Sequence, residues 1–369
     1  MPRYIQSNPA ARRRGKGRKG LRRIERAERA EKIWPTPLEA LLVAERCAVL
    51  SGSDTDFVLV TTMAYTGMRW SEAMGLAPRS IHDDTLDIAW KLYELDSRFY
   101  RGRPKDGSIR TADLPPFLAE LLSSHLAANP VRKCTCASTK PPWCPGSEYV
   151  FLSPQNGHFR RSNYAGRAMR PAADGWYAER RGRNPRPPMP VLIDGGAAWP
   201  GRPLAPWPPA VPGEPYTPPA GRGIARVAGK NGSGRCPACN RTILLRQDGT
   251  LINHKTAGER CSGGECWPRE PVPVACWLPI RHGLTPHGLR HGHQTWLDEM
   301  GVRYVLQSER MGHEVPGMRG VYGHVSPAMR ADLKAALQER WERSLRDRAR
   351  LSQRSTVAAL DALLASLAE

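Results

Sequence analysis

Three separated segments of this chain carry residue types that can act on a phosphate ester. They are Thr66-Gly67-Met68-Arg69-Trp70-Ser71-Glu72, then His287-Gly288-Leu289-Arg290-His291, then Gly312-His313, which Tyr322 follows nine residues after His313. Arginine presents a planar fork of N–H donors to phosphate oxygens, histidine transfers protons near neutral pH, and tyrosine can serve as a nucleophile. Transesterification of a phosphodiester needs charge neutralisation, proton transfer and a nucleophile.

In this order, the three segments resemble the active site of the tyrosine recombinase (phage integrase) family. The match includes the first arginine motif, the His-x-x-Arg box, the Met-Gly-His turn and the Tyr-Gly-His-Val that begins at Tyr322. It covers roughly Thr36 to Leu337, apart from an insertion. The resemblance implies an α+β fold, a mainly helical catalytic domain with a small β-sheet. It also implies a site-specific recombinase or integrase that cuts and rejoins DNA through a 3′-phosphotyrosyl intermediate, without a nucleotide cofactor.

The resemblance assigns a role to each residue. Arg69 and Arg290 would clamp one scissile phosphate, since each can donate two N–H groups to its oxygens. Tyr322 would be the nucleophile, His287 would take part in proton transfer with it, and His313 would hydrogen-bond the phosphate. His287 and Arg290 are at positions i and i+3, so both can point into one site from the first turn of a helix.

In this family the general acid is a lysine at the tip of a β-hairpin, and Lys105 has that context. Apolar and polar residues alternate over Thr85–Trp90 and again over Ser108–Leu114, which predicts two strands. The Gly- and Pro-containing segment from Tyr100 to Gly107 would connect them. Lys91 is the alternative acid.

The charge of the chain indicates a polyanionic partner. Lys and Arg number 55 against 35 Asp and Glu, which gives a formal net charge of +20 and an isoelectric point near 10.0. Double-stranded DNA with specific recombination sites is the predicted partner, and the resemblance implies a homotetramer on DNA. No apolar run reaches the ~18 residues of a membrane span, and no signal-peptide core is seen. We therefore expect a cytoplasmic, nucleoid-associated protein without membrane contact.

Four residues in the insertion have the spacing of a metal site. Cys236-x2-Cys239, fourteen residues, His254-x6-Cys261 resembles a zinc ribbon. Two pairs of thiol and imidazole ligands suit a tetrahedral structural zinc ion, and so short a unit has little core without one. Cys266 could replace Cys261 as the fourth ligand. The alternative interpretation is a set of free cysteines.

A second group of cysteines is incomplete as a metal site. Cys134, Cys136 and Cys144 supply three ligands, and His125 is the candidate for the fourth. A histidine on an apolar helix is more often simply packed, which is the competing interpretation of His125.

Composition shifts divide the chain into five regions. Residues 1 to 32 hold twelve Lys or Arg against three Asp or Glu, and 13 of the 35 residues from Pro185 to Pro219 are proline. The first pattern predicts a solvated tail and the second an extended arm. The predicted regions are a basic flexible tail 1–35, catalytic parts 36–175 and 281–337, an insertion 176–280 with a Pro-rich arm 184–221 and a ribbon 232–268, and a helical tail 338–369.

Capping signals predict where the helices begin. Thr36 with Pro37 and Glu39 forms a capping box, and Thr285 with Pro286 repeats the cap-and-proline start. The last helix carries Leu360 and Leu364 at helical spacing, so it could dock on its own core or on a neighbouring subunit.

The resemblance leaves two other functions open. A type IB topoisomerase uses the same chemistry, and a non-catalytic DNA-binding remnant would retain the fold alone. The family normally has a helical core-binding domain before the catalytic one, and the residues before Thr36 are too few for it. The sequence specifies neither the DNA target nor the direction of the reaction.

Overall fold

The computed structural model describes residues 32–105, 108–136, 142–182, 185, 188–194, 204–206, 233–246, 250–269, 274–313 and 324–367. Most of the predicted basic tail, most of the Pro-rich arm and Tyr322 lie outside these residues.

The described chain mixes helices with short antiparallel strands, as the predicted α+β class requires. The helices are α1 (Pro37–Ser51), α2 (Asp54–Thr66), α3 (Trp70–Met74), α4 (Pro116–Ala128), α5 (Arg161–Tyr164), α6 (Arg170–Asp174), α7 (Pro286–Glu299), α8 (Tyr304–Met311), α9 (Pro327–Leu351) and α10 (Ala358–Ala365). A 3-10 turn covers Pro78–Ser80, and a wider π turn over Ala165–Met169 joins α5 to α6.

The strands form several small sheets. They are β1 (Thr85–Ile88), β2 (Lys91–Leu95), β3 (Arg98–Gly102), β4 (Arg110–Asp113), β5 (Trp176–Tyr177), β6 (Met189–Pro190), β7 (Leu192–Asp194), β8 (Leu204–Pro206), β9 (Ser233–Arg235), β10 (Thr242–Leu244), β11 (Lys255–Thr256), β12 (Glu259–Arg260) and β13 (Val274–Trp277). All the pairs are antiparallel: β1 with β4, β2 with β3, β5 with β6, β9 with β10, β11 with β12, and β13 between β7 and β8.

Local capping chemistry fixes the helix starts that the sequence predicted. The hydroxyl of Thr36 accepts from the Glu39 amide at 3.3 Å, and the Glu39 carboxylate accepts from the Thr36 amide at 2.8 Å. Thr285 caps α7 in the same way through the Gly288 amide. Ser53 caps α2, its hydroxyl accepting from the Thr55 amide at 3.3 Å.

One cluster of buried side chains joins helices from both sides of the insertion. Every residue of α2 from Thr55 to Thr66 is buried, which makes α2 the central helix. The ring of Tyr65 lies 4.9 Å from Phe117, 5.2 Å from Trp296 and 5.8 Å from Trp341, measured between centroids. Aromatic contacts from four helices therefore hold α2, α4, α7 and α9 together.

The predicted connection around Lys105 was wrong in topology. β1 and β4 pair as expected, but the segment between them contains a second hairpin, β2–β3. Its two-residue turn is Asp96-Ser97, both at positive φ (48° and 64°), which is the geometry of a type I′ turn. Tyr100–Gly102 therefore belongs to strand β3 and residues 103–105 follow that strand, so Lys105 does not lie at the tip of the β2–β3 hairpin.

In the described chain, an isolated bridge joins Lys133 to Glu148, and residues 149–152 form no strand. The helical segment that begins at Arg161 continues to Asp174 through the π turn.

The ends of the insertion are attached to α1. Strands β7 and β13, with the residue before β7, supply a small cluster of Val191, Ile193, Ala275 and Trp277. The guanidinium of Arg46 lies 4.7 Å from the centre of the Trp277 ring, and its Nη1 donates to the Leu278 carbonyl at 2.8 Å. This contact brings the chain back to the core before α7 begins.

The C-terminal helices pack on the same core. In α9, Trp341 and Leu345 are as buried as Leu333 and Leu337, so the helix continues through the expected boundary at residue 337. Leu360 of α10 is completely buried in this cluster, which resolves the question left open by the sequence in favour of intramolecular packing. No helix in the described ranges combines the length and the apolar character needed to span a bilayer.

Candidate functional site

A glycine turn positions the first arginine of the candidate site. Helix α2 ends at Gly67, whose φ is +66°, and Arg69 then begins α3. A side chain at Gly67 would lie 2.7 Å from the His293 ring, so the turn requires both the left-handed conformation and the missing Cβ. The Arg69 amide donates to the Glu72 carboxylate at 2.8 Å, which fixes the start of α3.

Glu72 is a buried carboxylate that holds two arginines. Its side chain is 1% exposed, and it accepts from Arg69 Nη1 at 2.8 Å and from Arg110 Nη2 at 2.8 Å. Burial opposes ionisation of Glu72, but the hydrogen bonds and charge of Arg110, together with Arg69, outweigh it and lower the pKa of the carboxyl. Arg110 is fixed on its other side, since its Nε donates to the Arg310 carbonyl at 2.8 Å. Arg69, at 25% exposure, is the arginine of this pair that reaches the surface.

Arg290 connects the two loops that carry the other candidate residues. Its side chain is buried in the first turns of α7, with Nη1 donating to the Gly67 carbonyl at 2.7 Å and Nη2 to the Met311 carbonyl. Burial, followed by the positive charges of Arg69 and Arg110, lowers the pKa of Arg290 to about 9, and Glu72 offsets this only in part. The site therefore contains positive charge that a bound anion would stabilise.

His313 completes this cluster. Gly312, with φ of +63°, ends α8 and turns the chain so that His313 Nε2 lies 3.0 Å from Arg290 Nη2. Partial burial and then the charges of Arg290, Arg69 and Arg110 lower the pKa of His313. A neutral ring whose Nε2 accepts a hydrogen bond from Arg290 carries its own proton on Nδ1, and Nδ1 can then donate a hydrogen bond to a ligand.

A buried pair lies beneath the cluster. Arg310 is 2% exposed and donates from Nε to Nε2 of His293 at 2.9 Å, and from its other nitrogens to the carbonyls of Asp113 and Tyr65. Burial and then the charge of Arg310 keep the pKa of His293 well below its ordinary value. His293 is therefore neutral, and it packs against the Gly67 turn.

His287 lies at the surface of the site. It is exposed in the first turn of α7, with its ring 4.5 Å from that of His291. His287 and Arg69 line the same open groove, of about 1140 Å³. Phe99 of β3 and Phe159 also line this groove.

The loop that carries Lys105 is fixed next to Arg69. Lys105 is exposed, and its carbonyl accepts from the Ser108 amide at 3.2 Å. The Ser108 hydroxyl lies 3.5 Å from Arg69 Nη1. The alternative acid Lys91 begins β2 opposite Gly102, with its ammonium group 5.4 Å from the centre of the Tyr93 ring.

The structure thus brings Arg69, Arg290 and His313 into one network, with His287 in the adjoining groove and Lys105 on a loop that reaches Arg69. Tyr322 lies outside the described residues, so its position relative to them stays a prediction.

Sequence reasoning missed four residues that support this network: Arg110, His293, Arg310 and Ser108. Arg110 had a signal, because it alternates with Ala112 on the inward face of a predicted strand, where a charged residue needs a partner. Its partner Glu72 is distant in sequence, so the pair could not be named from spacing.

The ribbon cysteines converge as predicted. The ligand atoms of Cys236, Cys239, His254 and Cys261 all lie within 4.8 Å of one another, so the group could hold a metal ion. The Cys236 and Cys261 sulfurs are 3.7 Å apart, and Cys239 Sγ is 3.3 Å from His254 Nε2. Nδ1 of His254 donates to the Ile252 carbonyl at 3.0 Å, which leaves Nε2 for a metal. Cys266, the alternative ligand, is exposed and lies outside the group.

The second cysteine group is also assembled, but with a different histidine. Cys134, Cys136 and Cys144 converge with His158, again within 4.8 Å. His125 follows the competing interpretation of a packed histidine: it is buried, and its Nδ1 lies 3.2 Å from the side-chain amide of Asn129, which ends the same helix.

Comparison with known proteins gives similarity to solved structures only. The chain is similar to the Tn1549 transposon integrase in complex with transposon right end DNA, at 13% identity and a TM-score of 0.41, over 84% of this chain and 67% of that chain. It is similar to the same integrase in complex with circular intermediate DNA, at 13% identity and a TM-score of 0.40, over 84% and 68% of the two chains. No protein-family model and no curated protein matches it.

Proposed function

We propose that this protein is a site-specific DNA recombinase that cuts and rejoins DNA through a covalent tyrosine intermediate. The observation that carries the proposal is the network in which Arg290 binds both the Gly67 turn and His313, beside the Glu72-anchored Arg69. Two arginines and a neutral histidine in one positively charged site suit a phosphodiester and its transition state.

In the proposed mechanism the two arginines neutralise the phosphate. Arg69 is held from behind by Glu72, which leaves part of its guanidinium facing the groove. Arg290 is oriented by two backbone carbonyls, so it needs no reorganisation when the negative charge redistributes. His313 donates from Nδ1 to a non-bridging oxygen while Nε2 accepts from Arg290.

Tyr322 is the proposed nucleophile. Its oxygen forms a bond to phosphorus as the bond from phosphorus to the 5′ oxygen breaks, and Lys105 gives that oxygen a proton. His287 takes the phenol proton. Because the phosphotyrosyl bond preserves the energy of the original ester, a 5′ hydroxyl from a partner strand can reverse the step without a nucleotide cofactor.

DNA is the proposed partner, with a homotetramer as the assembly for strand exchange and the nucleoid as the location. The net charge of +20 supports a polyanionic ligand. The groove between α7 and the β2–β3 hairpin is where we propose that a DNA strand passes the site.

The alternative with the same chemistry is a type IB topoisomerase. Supercoiled DNA that is relaxed without exchange between duplexes would favour it. Products joined between two duplexes would favour the recombinase.

The proposal can be tested without knowledge of the target sequence. A randomised library of nicked duplexes is incubated with the protein, and adducts that survive denaturation are recovered and sequenced. We expect adducts with one enriched sequence from the wild type and from Tyr304→Phe, which changes an exposed tyrosine. Tyr322→Phe should form none. An adduct with Tyr322→Phe, or none with the wild type, would contradict the mechanism.

We also propose that the ribbon binds a structural zinc ion. Two thiolates bound tetrahedrally at ~2.3 Å lie about 3.8 Å apart, close to the 3.7 Å between Cys236 and Cys261. Cys236→Ser should lower the zinc content by one ion per chain, whereas Cys266→Ser, at the exposed alternative, should leave it unchanged.

A further inference from the structure

A second group of metal ligands lies outside the ribbon and outside the arginine network. Cys134, Cys136, Cys144 and His158 come from two segments of the link between α4 and α5. Their exposed fractions are 7% for Cys134, 1% for Cys144 and 9% for His158. We propose that these four residues bind a second structural zinc ion, which fixes the wall of the groove opposite α7.

The distances fit a tetrahedral ion. The sulfurs of Cys134 and Cys144 are 3.5 Å apart, and Cys144 Sγ is 3.4 Å from His158 Nε2. A thiolate and an imidazole at ~2.3 Å and ~2.0 Å from one zinc ion would lie about 3.5 Å apart. A disulfide would need the two sulfurs at ~2.05 Å, so the group is arranged for a shared ion rather than for a covalent link.

The surroundings hold the ligands in place. The His158 ring lies between Phe99 and Tyr149, at 4.8 Å and 4.9 Å between ring centroids. The Tyr149 hydroxyl is 3.4 Å from Cys144 Sγ, where it can donate to a thiolate. Such outer contacts are what orient the ligands of a metal site.

The backbone turn at Gly146 also serves this arrangement. Gly146 has φ of +67°, and a Cβ there would lie 2.5 Å from the Cys136 carbonyl. The Cys134 amide donates to the Ser147 carbonyl at 3.0 Å. The turn thus brings the segment that follows Cys144 against the Cys134–Cys136 segment.

The site is joined directly to strand β3. The Cys144 amide donates to the Phe99 carbonyl at 2.8 Å, and the Arg101 amide donates to the Pro142 carbonyl at 2.8 Å. The segment around Trp143 therefore lies beside β3 as a third, irregular strand. Phe99 and Phe159, neighbours of the ligands, line the groove.

A consequence for function follows from this connection. Without the ion, four ligands, three of them buried, lose their common partner, and the segment beside β3 is released. The groove wall and the link from β3 to Lys105 would loosen, whereas the arginine network would not, since it is held by Glu72, α7 and α8. The metal site itself does not depend on the proposed recombinase function.

The test is the zinc content of the full chain measured by atomic emission. We expect two ions per wild-type chain, one for Cys144→Ser, one for Cys236→Ser and none for the double variant. His125→Gln, which changes the buried histidine that is not a ligand, should retain two. A wild type with one ion that Cys236→Ser removes, or a Cys144→Ser protein that retains two, would overturn the proposal.

A second variant and a second measurement guard against simple misfolding. His158→Cys supplies another zinc ligand and should retain two ions, whereas His158→Ala should retain one. Hydrogen exchange in Cys144→Ser should increase in peptides that contain Phe99 to Gly102 and stay unchanged in α7. Equal exchange of β3 in the wild type and in Cys144→Ser would show that no ion fixes this wall.

Discussion

Among single residues, Glu72 is the carboxylate that holds two arginines of the candidate site in position. Its buried carboxylate faces Arg69 and Arg110, and the three groups act as a unit. The link from Glu72 to Arg69 is local, at i and i+3, and could be expected from the sequence. The link from Glu72 to Arg110 could not be expected from the sequence. Arg110 lies in β4, and the β2–β3 hairpin separates β4 from Glu72 along the chain.

Arg110→Met tests this unit. Removing one partner leaves the Glu72 charge buried beside Arg69 alone, so unfolding should require ~3–5 kcal/mol less free energy. Urea denaturation would measure it, with Arg79→Met at an exposed arginine as the control, for which a change within ~0.5 kcal/mol is expected. An Arg110→Met protein as stable as the control would mean that Glu72 does not depend on Arg110.

His293 gives a pH dependence of stability. Its pKa is lowered in the folded protein by burial and by Arg310, whereas the unfolded chain titrates near 6.5. Below that pH the unfolded state binds a proton that the folded state excludes, so the free energy of unfolding falls as the pH falls. The full contribution is present above 6.5, and the loss from this group is at most ~1.4 kcal/mol per pH unit.

Denaturation of the wild type and of His293→Gln between about pH 7.5 and about pH 5 measures this contribution. The variant should show the shallower slope. Identical slopes for His293→Gln and the wild type would contradict a buried neutral imidazole.

Among the elements, the glycine turns at the ends of α2 and α8 position the site. Gly67 leads to Arg69 and Gly312 leads to His313, and both are in the left-handed region. Glycine is the usual residue at such helix ends. The sequence could not predict how closely His293 approaches Gly67, since that contact depends on the packing of α7 against α2.

Gly67→Ala and Gly301→Ala form a matched pair. Both glycines have φ of +66°, but a Cβ at Gly67 would meet the His293 ring at 2.7 Å, whereas a Cβ at Gly301 would meet nothing within 4 Å. Each substitution should lower the free energy of unfolding by ~1–2 kcal/mol, because alanine is strained in the left-handed conformation. Gly67→Ala should lower it by a further ~1–3 kcal/mol through overpacking, which urea denaturation would measure. Equal losses would contradict the packing.

The hairpin β2–β3 was not predicted from the sequence. Gly and Pro in the segment Tyr100 to Gly107 are strong turn signals, so the sequence indicates a turn there. The two-residue turn of the structure is instead Asp96-Ser97. Both residues adopt positive φ without glycine, a conformation that Asp tolerates but that spacing alone does not predict. The choice of His158 over His125 likewise depends on this hairpin, because Phe99 of β3 packs on the His158 ring.

At the scale of the whole molecule, the segments before and after the insertion fold as one core. Glu45 of α1 accepts from two nitrogens of Arg348 in α9, both at 2.7 Å, and both side chains are buried. Most helix positions followed from capping and periodicity, whereas the α+β class was implied by the family resemblance. These long-range pairs did not, because their partners are hundreds of residues apart.

Helix α10 packs against this core through Leu360 and Leu364. Leu360 is completely buried, so Leu360→Ala should lower the free energy of unfolding by ~2–5 kcal/mol. Leu367, 41% exposed in the same segment, is the control, and Leu367→Ala should change it by less than ~0.5 kcal/mol. If Leu360→Ala were as harmless as the control, α10 would not contribute to the stability of the chain.

The central claim is that Tyr322 attacks DNA held by Arg69, Arg290 and His313. The most direct measurement is mass spectrometry of the peptide that carries the nucleotide in the denaturation-resistant adduct. We predict a peptide containing Tyr322, joined through its phenolic oxygen to a 3′ phosphate, with a free 5′ hydroxyl on the released strand. A nucleotide on any other residue, or a link to a 5′ phosphate, would contradict the account.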